Sequence, residues 1–163
     1  MIVVSDTTPL ISLLKADRLG ILERLFHEVR IPSAVFDELI RNDRYAGEAE
    51  MIRSCPFIII TEVNDTSAVD KVTSEDGLDL GESEAIVLTK EIAADLLLMD
   101  EAKGRDVARS MGIRITGTVG ILMTAYEQGI LAKQDMIDCV EKLRDTKRFI
   151  GERYIRLLLE RIQ

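Results

Sequence analysis

The chain has 163 residues and a net charge of −8, with 47% hydrophobic and 31% charged residues, which suits one compact domain around a single core. No apolar run reaches the roughly 18–20 residues that span a bilayer, and no basic-then-apolar leader precedes the first strand, so a cytoplasmic protein with no membrane segment is expected. One histidine, His27, and two distant cysteines, Cys55 and Cys139, exclude a His-rich or Cys-rich metal site and predict reduced thiols.

Charge is uneven. Residues 141–163 hold seven basic and four acidic side chains, so the first 140 carry −11. Such a body repels nucleic acid at long range, which excludes a simple nucleic-acid coat protein. It does not exclude an enzyme whose acids gather around cations.

In chain order, an apolar strand at 2–5 runs straight into Asp6, Thr7, Thr8 and Pro9, and helices follow at 9–16 and 18–26. A strand at 28–31 leads into helices at 32–42 and 44–54; Pro9 and Pro32 both suit a first helical turn. A strand at 57–61 precedes a polar segment, 64–80, that reads as loop with at most one helical turn. A helix at 82–93, a strand at 95–99, a helix at 101–111, a strand at 113–116 and a helix at 118–128 complete the alternation. Gly112 and Gly129 fall where helix C-caps belong. Helices at 133–144 and 150–162 close the chain. This alternation predicts an α/β fold with three α/β/α layers, about five strands in a central parallel sheet, and extra C-terminal helices. Residues 1–163 read as one domain, with 131–163 as a helical extension.

Ligands of a parallel sheet bind at the carboxyl ends of its strands, and two strands here end in aspartate, IVVSD at Asp6 and DLLLMD at Asp100. In GESEAIVLTKEIAAD, Glu82 shares a helical face with Ala85, Ile86 and Ala93, the face expected on the sheet. Glu84 lies about 160° away and is expected in solvent. In PSAVFDELIRN, Asp37 and Glu38 flank the apolar stripe equally, and helical geometry does not choose between them. Several carboxylates at one edge repel each other unless a cation neutralises them. Oxygen-only donors suit Mg²⁺ or Mn²⁺, ions that hold phosphate and activate water. Each acid also has a plain structural alternative. Asp6 could cap the helix at Pro9, though Thr8 is better placed, and Asp100 could cap the helix at Glu101. Glu38 could be a solvated charge, and Glu82 a helix-dipole acid.

These stretches resemble the PIN-domain family of metal-dependent ribonucleases, which includes the VapC-type toxins. The resemblance rests on VVSDTTPL, on IPSAVFDEL, where it selects Glu38, and on the 18 positions from Glu82 to Asp100. GESEAI, DEAKGRDVA and GTVG point to a GExEAI subgroup. Typical toxins carry Asp where this chain has Glu82; glutamate still ligates Mg²⁺. The resemblance implies hydrolysis of RNA phosphodiesters with Mg or Mn bound by Asp6, Glu38, Glu82 and Asp100, leaving a 5′-phosphate and a 3′-hydroxyl. It also implies an RNA substrate, the toxin of a toxin–antitoxin pair with an antitoxin protein as partner, and a homodimer.

Thr7, Thr8, Glu84, Glu101 and Thr118 stand as phosphate-contacting or supporting residues, the last in a glycine-rich turn that could receive an anion. Arg105 is expected to pair with Glu101 at i,i+4. Lys142, Arg144, Lys147, Arg148, Arg153 and Arg156 make a basic end, read as a solvated face, and Tyr154, Leu157, Leu158 and Ile162 an apolar stripe for the core or a second subunit. His27 reads as a helix-end residue. A catalytically weak PIN-like module that binds RNA or a partner protein is the alternative function. A receiver-like or phosphotransferase domain also uses strand-end aspartates but fits this spread of acids poorly.

Overall fold

A computed structural model describes residues 1–145 and 151–163. Its elements are β1 (Val3–Ser5), α1 (Thr7–Lys15), α2 (Ile21–Phe26), β2 (Val29–Pro32), α3 (Ser33–Arg41), a 3-10 turn (Asp43–Tyr45), α4 (Ala46–Arg53) and β3 (Ile58–Thr61). There follow α5 (Thr66–Asp76), α6 (Leu80–Glu91), β4 (Leu96–Leu98), α7 (Ala102–Ser110), β5 (Ile115–Thr116), α8 (Thr118–Glu127), α9 (Lys133–Asp145) and α10 (Glu152–Arg161). The five strands form one sheet, all parallel, in the order β3-β2-β1-β4-β5.

The alternation of side chains along β1 builds the layers. Val3 packs with Leu10, Leu13, Ile121 and Leu122 in one buried cluster, to which α9 and α10 add Met136, Val140, Ile155 and Leu158. Its neighbour Val4 belongs to a second cluster with Val69, Ile86, Leu97, Met99 and Ala108. Helices α5, α6 and α7 therefore cover one face of the sheet, and α1, α8 and the C-terminal helices the other. Burying each such aliphatic side chain is worth about 1.5–3 kcal/mol. None of the described helices is long and apolar enough to cross a membrane.

Two sequence expectations change. The segment at 64–80 is mostly helix: Asp65 accepts a hydrogen bond from the Ala68 N–H at 3.0 Å, Gly77 ends α5 with φ +66°, and Val69 and Val72 face the core. Only Val69 and Val72 of α5 turn inward from an otherwise largely polar run, which therefore reads as loop. The stripe on α10 divides as well: Ile155, Leu158 and Ile162 are buried, while Tyr154 and Leu157 are exposed. The expectations for Lys147, Arg148 and a helix start at Ile150 lie outside the described residues. His27 follows α2 with φ +67°, a helix-end residue as read.

Candidate functional site

The sheet order reverses at β1: the chain steps outward through β2 and β3, then returns to β4 on the other side. Crevices for ligands open at the carboxyl ends of strands beside such a reversal. Asp6 leaves β1 there, its N–H donating to the Leu98 carbonyl of β4 at 2.9 Å, and Asp100 follows β4 two residues later.

Asp6 sits at the N-cap position of α1, but its side chain makes no capping hydrogen bond. The helix begins at Thr7, not Pro9. Asp6 is only 4% exposed. Burial pushes its carboxyl from 3.8 up to about 8; the Thr7 N–H opposes that rise, and the charges of Glu82, Asp79 and Glu38 add to it. Acids from three other positions thus act on one buried carboxyl.

Glu38 is exposed at the carboxyl-edge end of the site and accepts a hydrogen bond from Thr7 Oγ1 at 2.7 Å. Glu82 is buried in the first turn of α6. Asp79 caps that helix, accepting from the Glu82 N–H at 2.8 Å, while Glu82 Oε2 accepts from the Asp79 N–H at 3.1 Å, a reciprocal capping box. Burial pushes the Glu82 carboxyl above its ordinary value against the pull of that N–H, and Asp79, Glu101 and Glu38 push it the same way. The α6 backbone comes close to α3: a Cβ on Gly81 would stand 3.3 Å from Glu38 Oε2 and 3.5 Å from Asp79 Oδ1.

Asp79 is the acid that sequence reasoning missed. It falls in the segment read as loop, yet the pattern Asp79-Leu80-Gly81-Glu82 is a capping-box signature that could have revealed it.

Asp100 caps neither α7 nor its own strand. Its Oδ1 accepts from the Thr118 N–H at 2.7 Å and its Oδ2 from Thr118 Oγ1 at 2.6 Å. The anion received by the N-terminus of α8 is this carboxylate. Thr118 is therefore a positioning residue for Asp100. Glu84 is also corrected. It is half-buried, and its Oε2 accepts from the Ala34 N–H at 2.9 Å, so it anchors the start of α3 to α6 instead of pointing to solvent. Arg105 does not pair with Glu101; its Nη1 donates to the Met99 carbonyl at 2.8 Å, which turns the guanidinium back across the end of β4. Thr8 is half-exposed, and Glu101 is exposed at the start of α7.

The donor set, carboxylates without His or Cys, fits a hard divalent cation, and such a cation would hold ionised the two carboxyls, Asp6 and Glu82, that burial pushes toward the protonated form. Among the described residues no group of three or more His, Cys, Asp or Glu is already drawn together to hold a metal ion. Thr7, Thr118 and the Asp79 N–H instead occupy oxygens of Glu38, Asp100 and Glu82. Two open pockets flank the acids. One of about 740 Å³ includes Glu38, Asp79, Arg41 and Arg44; the other, about 410 Å³, includes Asp100, Arg105 and Arg109.

The fold and site together define a three-layer α/β/α protein with acidic side chains at the carboxyl edge of its sheet, beside the strand reversal. A family model described as a PIN domain matches residues 2–163, and the chain belongs to that family of nuclease-type folds. No curated protein matches the chain.

Proposed function

We propose that this protein is a Mg²⁺- or Mn²⁺-dependent endoribonuclease that hydrolyses RNA phosphodiester bonds at Asp6, Glu38, Glu82 and Asp100. The observation that carries the reading is Asp6, a buried carboxyl at the strand reversal pushed up to about 8 by burial and by Glu82, Asp79 and Glu38. Perturbed acids in a crevice mark functional sites. The four carboxylates are the residues that would hold the cation. When bound, the cation supplies positive charge at the phosphate and lowers the pKa of water.

The rest is done by the chain. Asp6 must release its proton before it can ligate, so cation binding and proton release are linked. Thr7 aims Glu38, Thr118 aims Asp100, and Asp79 aims Glu82; Glu84 holds α3 against α6, the two helices that carry Glu38 and Glu82. Gly81 and Gly117 leave room there for carboxylates that a Cβ would crowd.

The sequence resemblance alone supports the finer role of a toxin restrained by an antitoxin protein, and a homodimeric assembly. A second reading, a catalytically weak module that grips RNA or a partner, draws on the full engagement of Asp100 by Thr118. Calorimetric titration of Mn²⁺ separates the two. The nuclease reading expects binding by the wild-type protein that disappears in Asp6→Asn with Asp100→Asn, and cleavage of single-stranded RNA with the same dependence. Absence of Mn²⁺ binding by the wild-type protein overturns it.

A further inference from the structure

The pocket on the Asp100 side of the site lies between α7, β5, α8 and α10 and encloses about 410 Å³, a volume within the range of small-ligand sites. Three features distinguish it from a plain surface dent. Arg105, one of its lining residues, is held by the bond to the Met99 carbonyl, leaving the other N–H groups of a guanidinium to donate. Arg109, one turn further along α7, adds a second cation and is steadied by Asp106 at 3.1 Å. Tyr154 forms part of the wall and is 55% exposed, because α10 turns Ile155, Leu158 and Ile162 into the core.

An exposed aromatic face beside two guanidinium groups, one of them anchored to the Met99 carbonyl, in a pocket that Asp100 and Asp106 also line, is the chemistry that receives an unpaired base and its phosphate. A body of charge −8 repels a polyanion, so a strand that approaches these acids needs cations at the rim of the crevice. A paired base offers no free face to Tyr154, which favours single-stranded RNA over duplex.

We propose that this pocket holds one unpaired nucleotide of an RNA strand next to the scissile phosphate, its base stacked on Tyr154 and its phosphate held by Arg105 and Arg109. The inference rests on the ribonuclease reading and deepens it: Tyr154 sets affinity and base preference without touching the reacting phosphate.

The test is fluorescence anisotropy of a labelled ten-nucleotide single-stranded RNA and of its duplex. Ca²⁺ is present as an oxygen-seeking ion in place of Mg²⁺. Wild type, Tyr154→Phe, Tyr154→Ala and Arg109→Ala are compared, each checked by thermal melting, with Mn²⁺ calorimetry alongside. The expected result is single-strand binding weakened about tenfold in Tyr154→Ala, kept within about twofold in Tyr154→Phe, and weakened with a shallower salt dependence in Arg109→Ala. Mn²⁺ binding stays unchanged in all four. Equal single-strand affinity in wild type and Tyr154→Ala, with Mn²⁺ still bound, overturns the pocket and leaves the nuclease reading standing. Tighter binding of the duplex than of the single strand also overturns it. Failure of the wild-type protein to bind either Mn²⁺ or RNA overturns both.

Discussion

Thr7 Oγ1 donates a 2.7 Å hydrogen bond to Oε2 of Glu38, so the first residue of the helix after β1 aims the acid on the helix after β2. A threonine here, next to Asp6, thus orients Glu38 and not its neighbour. Thr7→Val keeps the β-branched shape and removes the donor. Glu38 is exposed and can turn to water, so the stability cost is about 1 kcal/mol or less. The expected effect falls on function: RNA cleavage reduced about tenfold or more in Thr7→Val and largely kept in Thr7→Ser. Cleavage rates together with melting temperatures check it; equal loss in both variants would remove the aiming role.

The Asp100 side has its own constraint in Gly117. A Cβ there would stand 2.5 Å from Asp100 Oδ1 and 2.9 Å from Arg105 Nη1. The backbone of Gly117 is extended, φ −117° and ψ −175°, so alanine is conformationally acceptable and the crowded atoms are the ends of two side chains. Gly117→Ala should therefore fold, displace the Asp100 carboxylate from Thr118, and lower cleavage and Mn²⁺ affinity together. A variant that melts like the wild type yet binds Mn²⁺ about tenfold more weakly is the expected outcome.

Why some of this was legible and some not follows from what each signal depends on. Strands are short apolar runs bounded by turns, and all five could be read, with Asp6 and Asp100 placed at one sheet edge by the strand pattern alone. The burial of Glu82 followed from helical periodicity. Ala93, placed on the same helical face, lies beyond the end of α6 with φ +50°. The partners of Glu84, Arg105 and Thr118 were not legible. Each reaches an element distant in sequence or folded back on itself: Glu84 to Ala34, Arg105 to Met99, Thr118 to Asp100. A helical wheel gives directions about one axis and says nothing of the neighbour that meets them. Helix α5 was lost for the opposite reason, since its caps were readable but its two valines were too few to mark a face.

Glu84 separates the anchoring role from ligation within one helix. Its carboxylate accepts from the second residue of α3, where a cap and the helix dipole favour negative charge. Glu84→Ala should cost about 0.5–2 kcal/mol, visible as a lower denaturation midpoint, with Mn²⁺ still bound. Glu82→Gln should do the reverse, abolishing Mn²⁺ binding at little cost in stability because the amide oxygen can still accept from the Asp79 N–H. Chemical denaturation paired with calorimetry distinguishes them, and loss of Mn²⁺ binding only in Glu84→Ala would reverse the assignment.

Asp6 makes the metal-free protein sensitive to pH. Its carboxyl titrates near 3.8 when exposed and at about 8 in the fold, so between these values the folded state holds a proton that the unfolded state has lost. Stability therefore falls as pH rises through that window. The protonated form's contribution is complete below about 3.8, declines by up to about 1.4 kcal/mol per pH unit, and is gone above about 8. In chelator, the wild-type denaturation midpoint should drop from pH 5 to pH 8. Asp6→Asn, which carries no such proton, should remove this component of the slope and be the more stable protein at pH 8. Cation binding runs the other way: it must expel the proton, so Mn²⁺ affinity should rise with pH up to about 8 and then level off. Calorimetry in buffers of different ionisation enthalpy counts the released proton directly. A release near one proton per Mn²⁺ bound at pH 6 that falls toward zero above about pH 8 is the expected result, and no release at pH 6 would show that Asp6 is ionised in the metal-free fold.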